Sequence, residues 1–280
     1  MKIHSRHLHA PLRGIFGPNS VSVAHYASFI GAKSPTKCDA QLTESNFQTR
    51  FRDKEEKQVD LSPVLISLKT SVISIIFTFF LGIWAARAVI ALKSERAKAI
   101  LDGVLTLPLV LPPTVAGFFL LYIFGVKRPI GKLLLAVFSY KIVFTWQATV
   151  LAAAVISFPL MYRSARGAFE LVDENVLNAA RTLGIPERKV FWKILMPMAM
   201  PGVLSGGVLA FARGLGEFGA TAMIAGNIAG KTRTLPLAIY SEVAAGDMEG
   251  AGKYVIIIVA ISLLIVAGMN VAAAGKKKFS

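Results

Sequence analysis

The chain has 280 residues, of which 54% are hydrophobic, and carries 31 Lys and Arg against 16 Asp and Glu. Soluble domains average about 45–50% apolar residues, so the excess points to a membrane protein. The net charge of +15 then reads as basic residues gathered in cytoplasmic loops, not as a nucleic-acid face, because no soluble segment with a basic face accompanies it.

Residues 1–60 hold the one cysteine, Cys38, and all four histidines, His4, His7, His9 and His25. A lone cysteine forms no internal disulfide and no metal site by itself, and the histidines read as solvated tail residues, so neither metal nor cofactor is expected. Met1 to Phe16 lacks the continuous apolar core of about 7–15 residues that a secretory signal needs. The stretch has no sustained helical or strand period and ends in the mixed-charge run Arg50 to Lys57, the composition of a disordered or weakly structured extension. No Met lies between Met1 and Met161, so a shorter product would begin at a non-Met codon near Val59 or Leu61. The expectation is an N-terminal extension that is disordered or in part an artefact of start-site choice.

From residue 61 the pattern changes. Runs of roughly 20 apolar residues predict five transmembrane spans, at about 63–86, 100–124, 143–162, 201–225 and 254–274, so residues 61–275 read as one all-α polytopic membrane domain. The second span contains Pro108, Pro112 and Pro113. Each interior proline removes a backbone donor and crowds the preceding turn, which predicts a kink or break, acting either as a gate or substrate contact or as a fixed packing bend. Thirteen Lys and Arg fall on one side of these spans, the last at 276–278, and seven on the other. The positive-inside bias puts the richer side in the cytoplasm, with the N-terminus outside and residues 276–280 as a basic cytoplasmic end.

Between the third and fourth spans lies a polar, helix-forming stretch on the predicted cytoplasmic side. Asp173 or Glu174 suits a helix start, Gly184 suits a left-handed C-terminal cap, and Pro186 suits the first turn of a second helix that Pro197 ends. Val190, Phe191 and Ile194 give that second helix an apolar edge. Within the fourth span, Arg213 and Glu217 stand four residues apart on one helical face, either as a structural ion pair or as residues lining an anion path; Gly214, Gly216 and Gly219 favour close packing there. Ala225 to Thr232 fits the loosest form of a phosphate loop. It follows a membrane span instead of a buried strand, so no nucleotide site is expected.

Ala179-Ala180, three residues, Gly184, nine residues, Ile194, Leu195, Met196 and Pro197 together resemble the "EAA" loop of ABC-transporter inner-membrane permeases, with Asn178 where that family usually has Glu and Met196 where it has Leu. Leu105 to Pro113, Ala210 to Thr221, Gly226-Asn227-Ile228 and Thr232 to Pro236 resemble the permeases for tetrahedral oxyanions, molybdate before its neighbours sulfate and tungstate. The resemblance implies an ABC type I importer permease in which Asn178, Ala179, Ala180, Gly184, Ile194 and Pro197 couple to a cytoplasmic ATPase subunit. It further implies a second copy of the chain, an extracytoplasmic oxyanion-binding protein and the lipid bilayer as partners, with no nucleic acid and no covalent chemistry. Pro112, Pro113, Arg213 and Glu217 are the candidates for the translocation path or gate. A membrane-embedded enzyme is disfavoured because the spans hold no His and no Asp besides Asp102 at an edge. An ATP-independent channel or carrier would not need the coupling pattern.

Overall fold

A computed structural model of the chain describes residues 60–276, so the expectations for the N-terminal extension and for the last four residues lie outside the described residues. Every regular element described is a helix: α1 (Ser62–Ile90), α2 (Glu95–Val110), α3 (Pro113–Phe124), α4 (Pro129–Phe138), α5 (Trp146–Glu170), α6 (Glu174–Thr182), α7 (Glu187–Val190), a π turn (Phe191–Leu195), α8 (Met196–Leu215), α9 (Gly219–Ala225), α10 (Leu235–Ala244) and α11 (Met248–Lys276).

Helix α1 begins where Pro63 can occupy a first-turn position without losing a bond. The Asp60 carboxylate accepts from the Ser62 hydroxyl at 2.7 Å and the Ser62 N–H at 2.8 Å, which hold it below the usual carboxylate range. Along α1 the buried face is a row of small and hydroxyl residues, Ser67, Thr70, Ser71, Ser74, Thr78 and Gly82. Lipid offers little hydrophobic drive for helix association, so such rows work by letting backbones approach and hydroxyls pair. The Thr70 and Thr149 hydroxyls meet at 2.8 Å and those of Thr78 and Ser157 at 3.4 Å, while Gly82 lies on Met161. All three pairs share one sequence offset, so α1 and α5 run parallel.

Helices α5 and α8 are antiparallel, since Gly202 meets Ala168, Gly206 meets Ser164 and Gly214 meets Ser157. At Gly206 any Cβ would overlap the Ser164 side chain, so the close approach requires glycine there. The three helices enclose a core around the fully buried Met161, Tyr162 and Val203. A second cluster joins α3, α9 and the first half of α5 through Leu120, Ile156 and Ile224, and a third joins α10 to α11 through Leu235 and Tyr254.

Four helical stretches are long and apolar enough to cross a membrane, namely α1, α5, α7 through α8, and α11. Helices α2 and α3 together pass the same test but are bent by 110°. Because α1 and α5 are parallel, a return between them is needed if both cross a bilayer, and this bent pair is the candidate fifth span among the described residues. Two expectations are corrected. The run at 201–225 is not one span: α8 stops at Leu215 and α9 starts at Gly219. Pro197 does not end the second helix of the polar pair, because a continuous helix runs from Glu187 to Leu215.

Candidate functional site

The polar pair is built as its residues dictate. The Asp173 carboxylate accepts the Asn175 N–H at 2.9 Å and starts α6. Gly184 adopts φ +74° one residue past the C-cap Leu183, a left-handed turn that glycine enters without steric penalty. Pro186 caps α7 from just outside it, with extended backbone, instead of occupying its first turn. Across the turn Arg181 donates to Glu187 at 2.6 Å and to the Asn178 side-chain oxygen at 2.7 Å. Asn178 is therefore engaged within its own element.

Ala180, Val190 and Phe191 are buried against the bundle, Ile194 is half-buried, and Asn178, Ala179, Gly184 and Pro197 are exposed. Leu183 is 79% exposed at the tip of the pair, an apolar side chain presented outward. Two contacts fasten the base of the pair. Arg87, at the end of α1, stacks 4.1 Å from the Phe191 ring centroid, and Phe169 of α5 meets Phe191 edge-on at 5.7 Å.

The π turn explains why Pro197 fails to stop the helix. In an α-helix its ring would strike the Lys193 carbonyl, and it has no N–H to donate. The turn from Phe191 to Leu195 is wider, and the Met196 N–H reaches back five residues to the Phe191 carbonyl. One inserted residue relieves the clash, and π turns of this kind recur at functional sites.

At the other end of that helix two chain breaks meet. The α2–α3 break lies at Leu111 and Pro112, both extended, with Pro113 opening α3. The α8–α9 break lies at Gly216 to Phe218. Pro113 and Thr114 pack directly on Gly219, so the structure brings the four path candidates Pro112, Pro113, Arg213 and Glu217 into one neighbourhood. Glu217 is not on the helix that carries Arg213, as the spacing suggested, but in the break beyond it; the pair nevertheless closes at 2.8 Å. Its side chain is 1% exposed and both oxygens are engaged, one by Arg213 and the other by the Ala220 N–H at 2.8 Å. Arg213 is 32% exposed and, among the described residues, donates to Glu217 alone. Of the three glycines expected to favour packing, Gly214 and Gly219 do so, while Gly216 is exposed in the break.

The loop resembling a phosphate site is already saturated. The Ile228 carbonyl accepts from the N–H groups of Lys231, Thr232 and Arg233, and the buried Thr232 hydroxyl accepts the Ile228 N–H at 3.0 Å. These donors face a carbonyl and each other instead of a concave anion cradle.

One cluster escaped the sequence reading. Asp102 of α2 accepts from the Tyr162 hydroxyl at 2.9 Å and from Arg166 at 2.7 Å, and Arg166 also donates to Glu170 at 2.7 Å. No residue of α2 is buried, so this polar clamp is a principal tie between α2 and α5. The available signal was Asp102 itself, the single acidic residue in the second apolar run. A cavity of about 770 Å³ opens between α1, α2 and α5, lined by side chains such as Phe77, Leu105, Leu151 and Phe158. Its apolar wall would strip water from a dianion without replacing it, so it is no anion route.

Comparisons with known proteins find two families. Residues 78–279 match the binding-protein-dependent transport system inner membrane component, and residues 1–60 match a family of unknown function, DUF6783. The chain is 46% identical over 202 residues to the molybdenum transport system permease protein ModB of Escherichia coli strain K12, covering 72% of this chain and 88% of that one. It is 42% identical over 211 residues to ModB of Haemophilus influenzae, covering 74% and 92%. The ModB of Mycobacterium bovis is 40% identical over 207 residues, covering 74% and 77%. Among solved structures it is similar in fold to inward-facing conformations of the MetNI methionine ABC transporter, with a TM-score of 0.62 at 15% identity, covering 80% of this chain and 98% of that one.

Proposed function

The chain belongs to the family of binding-protein-dependent transport system inner membrane components, and from that premise we propose that it is the membrane permease subunit of an ATP-driven ABC importer for molybdate. Its relatives' substrate supports the anion, and sulfate or tungstate would use the same architecture. The permease domain covers residues 61–275 and works as a homodimer. Two cytoplasmic ATPase subunits dock on the α6–α7 pairs, and an oxyanion-binding protein docks on the opposite side. The Lys and Arg bias supports an orientation with Asp60 outside and the α6–α7 pair and the end of α11 in the cytoplasm.

The observation that carries the mechanism is the continuous helix from Glu187 to Leu215. It joins an exposed docking surface, Asn178 to Pro197, to the interior breaks at Pro112, Pro113, Arg213 and Glu217. When ATP closes the ATPase dimer, the two docked pairs move together. The long helices transmit that motion and tilt the bundles from inward-open to outward-open. The anion released by the binding protein then passes the paired breaks, where the partly exposed Arg213 offsets its charge, and hydrolysis resets the gate.

The test is reconstitution in vesicles. Molybdate uptake is expected only when the ATPase subunit, the binding protein and ATP are all present. Uptake by this chain alone would instead make it a channel or secondary carrier.

A further inference from the structure

We propose that the groove between α1, α2 and α5 binds one anionic phospholipid, its acyl chain in the groove and its phosphate at Lys69, beside the Trp146 ring. This inference rests on the membrane-spanning architecture alone and does not depend on which anion is transported. Three observations carry it. The first is depth. Along α5 the lining runs from Trp146 to Phe158, roughly 18 Å at the helical rise and a little over half of a bilayer core of about 30 Å. That is the reach of one leaflet's acyl chain, entering where α1 and α5 both begin.

The second is that the chain leaves the groove open. Phe77 and Leu81 of α1 and Val104 of α2 line it and are 57%, 53% and 61% exposed. A volume of about 770 Å³ falls within the roughly 300–1,000 Å³ of ligand pockets.

The third is the chemistry of the rim. Lys69 holds its ammonium 4.1 Å from the Trp146 ring centroid, about two turns into α1. Among the described residues Lys69 makes no ion pair. An unpaired cation beside the mouth of an apolar groove matches a phosphate attached to hydrocarbon. A second copy seated here through apolar side chains would leave that charge unanswered, and a free anion would leave the groove empty. Tryptophan and a snorkelling lysine at headgroup depth are the ordinary anchors of such an arrangement.

The test uses the assembled, delipidated transporter and native mass spectrometry, with phosphatidylglycerol or phosphatidylethanolamine of identical chains added back. One phosphatidylglycerol per permease subunit is expected, retained about fivefold better than phosphatidylethanolamine, the factor that one lysine contributes toward an anionic lipid surface. Lys69→Gln, at an exposed position, should bring the two lipids to parity. Ala154→Phe should fill the groove and reduce retention of both. Equal retention of the two lipids by the unmodified protein, or a preference untouched by Lys69→Gln, would overturn the proposal. So would a disulfide between two copies formed in native membranes through Phe77→Cys, because the groove would then be covered by the second subunit.

Discussion

Gly184 and Glu217 show how single residues divide backbone roles from charge roles. Gly184 has open space around it, so its requirement is the positive φ alone. Asn and Asp both tolerate left-handed backbone better than other side chains. Gly184→Asn should therefore cost no more than about 1 kcal/mol of stability and keep transport-linked ATP hydrolysis. Gly184→Asp should fold equally well and lose most of that coupling, since it adds a charge at the proposed docking tip. Equal ATPase stimulation in the two variants would place docking elsewhere. At Glu217, a Gln can still accept the Ala220 N–H but leaves Arg213 without its counter-charge. Breaking a buried pair costs about 3–5 kcal/mol, less here because Arg213 is partly exposed. Glu217→Gln should lower Tm, and the double variant with Arg213→Gln should recover much of the loss. If Arg213 also meets the anion, transport stays absent in the double variant even as Tm returns.

Among elements, α2 is held to α5 largely by polar contacts. It buries no residue and ends at a 110° break, so its position depends on Asp102 meeting Tyr162 and Arg166. Hydrogen bonds to a partly exposed carboxylate are worth about 1–2 kcal/mol together, enough to set the population of an element that has little else holding it. Asp102→Asn should broaden the distribution of α2–α5 distances measured between spin labels, while Tyr162→Phe should broaden it less because Arg166 remains. An unchanged distribution in Asp102→Asn would show that packing alone holds α2. The α7–α8 helix is the opposite case. Its π turn absorbs Pro197, so the second helix of the polar pair and the interior break stay on one continuous rod.

For the whole molecule, the parallel α1–α5 and antiparallel α5–α8 registers define a threefold helical core, and the paired breaks sit beside it. The proposed orientation makes a direct prediction. With Cys38 replaced by Ser, a cysteine at Leu183 should react with a membrane-impermeant maleimide only in inside-out vesicles, and one at Lys231 only in right-side-out cells. The reverse pattern would invert the assignment of the docking side.

The sequence by itself determined the membrane class, the four to five apolar spans of the described residues, the two-helix pair with its glycine turn, and the family. These depend on local composition, proline and glycine chemistry and fixed motif spacing, all written in neighbouring residues. The row Ser67, Thr70, Ser71, Ser74, Thr78 and Gly82 went unread in the sequence, and the partner it packs on was not legible there. That face had to meet Thr149 and Ser157, which lie 79 positions away for the hydroxyl pairs. Only the tertiary structure decided that the fourth apolar run breaks after Leu215, that Pro197 lies within a helix, that Asp102 clamps α2 to α5, and that the two breaks touch through Pro113 and Gly219. The last two depend on what a distant element offers at the point of contact, a Tyr162–Arg166 pair for Asp102 and a glycine to admit Pro113; the first two depend on backbone geometry a few residues away, a Glu217 carboxylate that accepts the Ala220 N–H and a π turn that clears the Pro197 ring. Hydropathy cannot register such contacts, because a broken span and a continuous one bury the same apolar residues.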